Sequence, residues 1–308
     1  MSASRLDPRV TPARPDLAAA HLRGQVQAAR YVEGTLKRIF EPVVPLRRAP
    51  QRDIGLETEA LYGERVTVYE SNAEGWAWGQ LELDGYVGWL PSGALADPGR
   101  PATHRVAALG TFLYPRPDIK TLPMVAFPFG SRLAIAREDG QFAVTDEGAY
   151  VPLQHLVPVG HREPDYVATA RRLLGVPYLW GGRSSLGLDC SALVQLALQA
   201  AGIECPRDSD MQAGIGAAVD FGGDLSKLKR GDLVYWQGHI GLVAGEGRFL
   251  HANAFHMTVA EEPLADAIQR IRAGGLEILN VRRCWKGWMP CPRPTRPFAL
   301  NWKKRRAK

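Results

Sequence analysis

The chain has 308 residues, 45% of them hydrophobic and 23% charged, which is enough for two or three domains with a sizeable core. No apolar run approaches the roughly 20 residues that a membrane-spanning helix needs, so that class is excluded. The formal charge of +6 belongs to the end of the chain. Lys286, Arg293, Arg296, Lys303, Lys304, Arg305, Arg306 and Lys308 are eight basic residues without an acid among them, and residues 1–283 carry −2 without them. Neither a nucleic acid nor a membrane is therefore implied as a partner of the folded body.

The first residues, "MSASRLDPRVTPARPDLAAAHLRG", lack the basic end, apolar stretch and small-residue cleavage site of a secretory signal, and the chain reads as cytoplasmic. Apolar spacing over residues 15–40 predicts one or two short helices, so residues 1–40 are expected to form an N-terminal helical segment. From residue 41 the texture changes to short alternating runs broken by Gly, Pro and Asp ("ERVTVYE", "GWAWGQLEL", "DGYVGWLP"), which predict strands and tight turns. The texture then repeats. "LYGERVTV" at 61–68 returns as "PFGSRLAI" at 128–135, and "GWLPSGAL" at 88–95 returns as "AYVPLQHL" at 149–156, so two β units of roughly 60 residues lie in tandem, at 41–98 and 99–160. Residues 161–284 read as helix, loop, helix and then strands, an α+β pattern with an antiparallel sheet. Residues 285–308 read as a basic, Pro-rich tail.

The cysteines are Cys190, Cys205, Cys284 and Cys291, with no C-x-x-C among them. Cys205, in "GIECPR", reads as a small buried hydrophobe. Cys190 stands apart, because "LDCSALVQLALQAAG" places it in the first turn of an apolar helix that Asp189 can cap. A helix N-terminus favours the thiolate, whereas a neighbouring carboxylate opposes it, so a reactive Cys190 needs an imidazole as well. His239 opens the alternating run "HIGLVAG", 49 residues on, and His251 follows in "RFLHANAFH" after another 12. Two adjacent antiparallel strands joined by "GEGR" would set these imidazoles side by side, His239 as general base and His251 holding its ring in the useful tautomer. His256 competes with His251 for that role. A metal reading of Cys190, His239, His251 and His256 lacks the usual close pair of ligands. "GGRSSLG" lacks the Lys-Ser/Thr of a phosphate-binding loop.

Three blocks, "PYLWGGRSSLGLDCSALVQ", "LKRGDLVYWQGHIGLV" and "FLHAN", together resemble the NlpC/P60 family of cysteine peptidases, which cleave cell-wall peptides. "LYGERVTVYE…GWAWGQL…DGYVGWLP" resembles bacterial SH3-like domains, and the following unit is a diverged second copy. The resemblance implies an α+β, papain-like NlpC/P60 catalytic domain preceded by two small SH3-like β-barrels. It also implies Cys190 as nucleophile, His239 as base and His251 as orienting residue. Ala192 stands where the family usually has glycine, a departure that removes no role.

With its double SH3-like front, the chain is similar to the γ-D-glutamyl-L-diamino acid endopeptidase branch, in which the first SH3-like domain closes one end of the active site. That likeness implies hydrolysis of the bond between γ-linked D-glutamate and meso-diaminopimelate or lysine in short murein peptides with a free N-terminal L-alanine, as in wall-peptide recycling. Tyr178, Trp180, Asp208, Ser209 and Tyr86 match substrate-binding positions, with either Glu59 or Glu64 beside them. Asp189 and Ser191 are expected to meet the D-glutamyl portion. No metal or organic cofactor is implied. A decayed peptidoglycan-binding protein, and a thiol amidase or acyltransferase on another substrate, remain alternative readings.

Overall fold

Residues 6–284 are described by a computed structural model, and the predicted basic tail, with Cys291, lies outside them. The first module is an antiparallel five-stranded sheet in the order Val87–Pro91, Trp76–Leu81, Arg65–Ser71, Thr35–Ile39, Leu95–Ala96, with a hairpin of Val43–Leu46 and Thr58–Leu61 beside it. Ile39, Val44, Leu46, Val66, Leu81, Tyr86 and Leu90 fill its core.

The predicted N-terminal helices are not there. Leu17–Ala19 and Arg30–Val32 are short parallel strands, and Thr35–Ile39 is a full barrel strand, so the barrel begins before residue 41. The cause is tertiary. Leu17, Ala18 and Ala19 are all fully buried, and Leu17 packs on Trp76, Trp78 and Trp89, so the extended chain covers apolar surface that one helical face would leave open. Alanine's helix preference is worth less than this burial.

The second module repeats the plan of the first around its own core of Val106, Leu113, Phe127, Leu133, Val151 and Leu156. Both repeats end in a strand, a single 3-10 turn and another strand: Val87–Pro91, Ser92–Ala94, Leu95–Ala96, then Tyr150–Pro152, Leu153–His155, Leu156–Pro158. The repeated Y/F-G turns face one another. Gly63 has φ +79°, and a Cβ there would lie 1.9 Å from the carbonyl oxygen of Arg132, so only glycine lets the modules approach this closely.

The third domain carries four α-helices, α1 (Tyr166–Arg171), α2 (Cys190–Ala200), α3 (Ser209–Gln212) and α4 (Leu264–Ala273). A six-stranded antiparallel sheet runs Ala217–Ala218, Asn280–Arg283, Leu233–Trp236, His239–Gly245, Arg248–Asn253, Thr258–Pro263. Ten of the eleven residues of α2 are buried, which makes it a central helix rather than an amphipathic cover. It packs through Leu193, Ala197 and their neighbours on Ile240, Leu242 and Leu250 of the sheet. Helix α4, which sequence periodicity did not announce, covers the other face through Leu264, Ala267 and Ile268. No helix among the described residues is long and apolar enough to cross a membrane.

Candidate active site

Cys190 is the first residue of α2, and Asp189 caps it by accepting from the Ala192 N–H at 2.8 Å. The thiol is only 6% exposed, and it accepts backbone N–H groups from Ser191 and from Ile240, the neighbour of His239. The start of the strand that carries His239 therefore reaches the start of α2. His239 Nε2 lies 2.9 Å from His251 Nδ1, the juxtaposition expected of two adjacent strands. Gly241 makes room for this pairing, because a Cβ there would meet Phe249 at 2.4 Å and His251 Cβ at 2.8 Å.

Burial, and after it the charge of Asp189, pushes the Cys190 thiol up to about 12. Burial, then the neighbouring His251 and Arg270, lowers His239 to about 3. Both shifts, caused mainly by burial, favour the uncharged forms of the two groups. Attack on a carbonyl then requires the thiol proton to move to His239 as the S–C bond forms, which is general-base chemistry rather than a preformed thiolate.

Asp189 is the centre of a buried hydrogen-bond network. Its carboxylate accepts from Gly181 N–H, Ser191 Oγ, Ala192 N–H and both terminal nitrogens of Arg207, at 2.7–3.0 Å. Ser191 is likewise committed, donating to Asp189 and accepting from Arg207. Asp189 and Ser191, expected to meet the D-glutamyl portion, are buried and build the turn that holds Cys190. Arg207, 1% exposed, had no signal in the sequence, yet it neutralises the acid beside the nucleophile.

Glu59 and Glu64 are both buried in the interface between the first module and the catalytic domain. Glu59 accepts from the Arg183 backbone N–H at 2.8 Å, and Glu64 pairs with the Arg183 guanidinium at 2.5 Å. Glu64 is thus paired with a guanidinium, whereas Glu59 meets Arg183 through its backbone. After burial and the charge of Asp208, the glutamate whose charge acts on Tyr86 is Glu57, which the sequence did not single out. Tyr86 and Asp208 do come together, with the phenol donating to the carboxylate at 3.3 Å. Arg9 of the N-terminal segment also reaches this point, donating to Asp208 at 2.9 Å and to Asp210 at 2.7 Å. Ser209 opens α3 and is half-buried. Tyr178 is half-buried close enough for the Cys190 and Asp189 charges to act on its hydroxyl, whereas Trp180 is 71% exposed.

His251, His256 and Glu262 place one ligand atom each within 4.8 Å of one another. Arg270 holds both Glu262 oxygens, and His239 and Glu262 hold both His251 nitrogens, so a metal would have to displace hydrogen bonds already made at both residues. A cavity of about 890 Å³ between Tyr166, Arg230 and Arg283 is lined by no candidate site residue.

A buried thiol at a helix N-terminus, packed beside an antiparallel strand that carries one of two hydrogen-bonded imidazoles, is the arrangement a cysteine peptidase needs. Residues 175–271 match the NlpC/P60 family, and residues 46–95 match the bacterial dipeptidyl-peptidase Sh3 domain. The chain thus carries an NlpC/P60 cysteine-peptidase domain preceded by an SH3-like domain. It is similar to the gamma-D-glutamyl-L-lysine dipeptidyl-peptidase of Bacillus cereus, 29% identical over 244 residues, which cover 68% of this chain and 71% of that protein. The protein of the same name from Bacillus subtilis is 29% identical over 256 residues, covering 75% of this chain and 81% of the relative. Among solved structures, an NlpC/P60 family protein from Bacillus cereus shares the fold with a TM-score of 0.68 at 23% identity, over 81% of this chain and 99% of that one.

Proposed function

We propose that the protein hydrolyses the γ-D-glutamyl-L-diamino acid bond of short murein peptides that carry a free N-terminal L-alanine. The observation that carries this reading is the joint between the first module and α3. Tyr86 and Asp208, from two domains, meet around a cation, and a substrate ammonium is a cation of the kind that a carboxylate and a phenol bind. Burial holds the Asp208 carboxyl above its ordinary value, and Arg207 and Arg9 work against that shift. Arg9 is the cation now present, so a substrate amine reaching Asp208 competes with its guanidinium.

In this reading Cys190 attacks the γ-glutamyl carbonyl while His239 takes the thiol proton. His239 returns the proton to the departing amine of the diamino acid, and water then resolves the thioester with His239 again as base. The first-turn N–H groups of α2 that lack helical partners are the donors available to the oxyanion. The names of the two Bacillus relatives support a γ-D-glutamyl bond and lysine as one acceptable diamino acid. Cleavage of released fragments, as in wall-peptide recycling, suits a recognition point that demands a free amine.

The test compares L-Ala-γ-D-Glu-meso-diaminopimelate with its N-acetylated form by mass spectrometry. The expected result is release of L-Ala-γ-D-Glu from the free peptide, with at least a 100-fold lower kcat/KM for the acetylated one, roughly 3 kcal/mol of lost recognition. Arg9→Ala should lower KM for the free peptide. Equal cleavage of both forms would remove the amine from the proposal.

A further inference from the structure

We propose that Glu262, braced by Arg270, is a positioning residue for the reaction: its carboxylate fixes the tautomer of His251 and, through it, that of His239. Glu262 lies near the end of the edge strand Thr258–Pro263, and its Oε1 is 2.7 Å from His251 Nε2. Arg270, on α4, closes on it with two bonds, Nη1 to Oε2 at 2.6 Å and Nη2 to Oε1 at 2.5 Å. Phe255 stacks on the Arg270 guanidinium at 4.3 Å. A continuous line thus runs Arg270, Glu262, His251, His239, ending at the strand that touches Cys190.

The line admits one consistent placement of protons. An ionised carboxylate can only accept, so His251 Nε2 carries hydrogen. Neutral His251 then accepts at Nδ1, so His239 donates from Nε2. That leaves the lone pair of His239 on Nδ1, the nitrogen free to take the Cys190 proton. Without the carboxylate, His251 could instead donate from Nδ1 to His239 Nε2. The proton of His239 would then sit on Nδ1, and the base would be lost. Glu262 also places a negative charge behind the imidazolium that forms as the thiol proton is transferred. Burial works to raise the Glu262 carboxyl, but the Arg270 and His251 hydrogen bonds bring it down to about 2, so it stays ionised wherever the enzyme is folded. The other charged or titratable groups acting on this pair of imidazoles are Arg270, from α4, and His256, from the turn after Asn253. Nothing in the sequence marks Glu262, since "AEEPLADA" reads as an ordinary acidic strand end.

The proposal rests on Cys190 and His239 acting as nucleophile and base, and its test needs no substrate. The rate of iodoacetamide alkylation of Cys190, followed by peptide mapping from pH 5 to 9, is compared for wild type, Glu262→Gln, Glu262→Asp and His239→Ala, with thermal unfolding of each. Glu262→Gln is expected to fall about 10- to 100-fold at pH 7, toward the His239→Ala rate, with a changed pH profile. Glu262→Asp, which keeps the charge, should recover most of the wild-type rate. A Glu262→Gln rate equal to wild type would overturn the proposal. So would equal losses in Gln and Asp variants with the wild-type pH profile, which would mark a packing role. A His239→Ala rate equal to wild type would instead overturn the base on which the proposal rests.

Discussion

At the scale of single residues, the site is held by buried polar groups whose charge states folding decides. His239 and His251 are kept neutral, lowered by burial to about 3 and about 4 from an ordinary 6.5. Each takes up a proton on unfolding once the pH is below 6.5, so the unfolded chain binds more protons than the native one in this window. Stability is therefore full above about pH 6.5 and falls as the pH drops toward 4, by up to about 1.4 kcal/mol per pH unit for each imidazole. Urea unfolding between pH 7 and 4 should show this slope, and His251→Gln should reduce it. A slope unchanged in that variant would mean that His251 titrates normally in the native state. Cys190, His239 and His251 were legible because each sits in a short local pattern, a capped helix start or a strand start. Arg207, Glu262 and Arg9 were not, because their roles come from partners that only the folded chain brings near. Arg207 meets Asp189 across 18 positions, and Arg9 meets Asp208 across 199.

Among elements, the start of α2 depends on the first module. Arg183, just before the nucleophile turn, is fully buried against that module, its Nε donating to the Glu59 carbonyl at 2.8 Å and its guanidinium paired with Glu64. Arg207 adds a bond from Nε to Thr58 Oγ1 at 2.8 Å. Gly181, at φ +75°, lies where a Cβ would come within 2.5 Å of the Leu56 carbonyl oxygen. Removing one partner of such a pair leaves a buried charge uncompensated, so Glu64→Gln should lower stability by about 3–5 kcal/mol. Differential scanning calorimetry checks this, and an unchanged Tm would mean that the interface is not holding the nucleophile turn. The strands of the modules were readable from alternation and turn residues. The extended path of residues 17–39 was not, because a run such as "LAAA" fits a helix until three tryptophans of the barrel are there to be covered.

For the whole molecule, the tandem modules are a frame for the catalytic domain. The repeat seen at offsets of 67 and 61 residues becomes two cores whose matching turns meet at Gly63 and Arg132. The first of these cores then leans on the catalytic domain through Arg183 and Arg207. The N-terminal segment crosses from one to the other, with Val87 of the barrel donating its N–H to the Arg9 carbonyl at 2.8 Å while the Arg9 side chain reaches Asp208. The meeting of Tyr86 and Asp208, where we propose that the substrate amine binds, is thus a property of the assembled chain, which a single catalytic motif could not suggest.

The central claim is that Cys190 performs the chemistry on a short γ-D-glutamyl peptide. It is tested most directly by the turnover of L-Ala-γ-D-Glu-meso-diaminopimelate in full-length wild type beside Cys190→Ala. The account predicts release of L-Ala-γ-D-Glu by the wild type and a loss of at least about 10⁴-fold in the variant, with its fold intact. Equal release by both proteins, or tight binding by both without release by either, would contradict it.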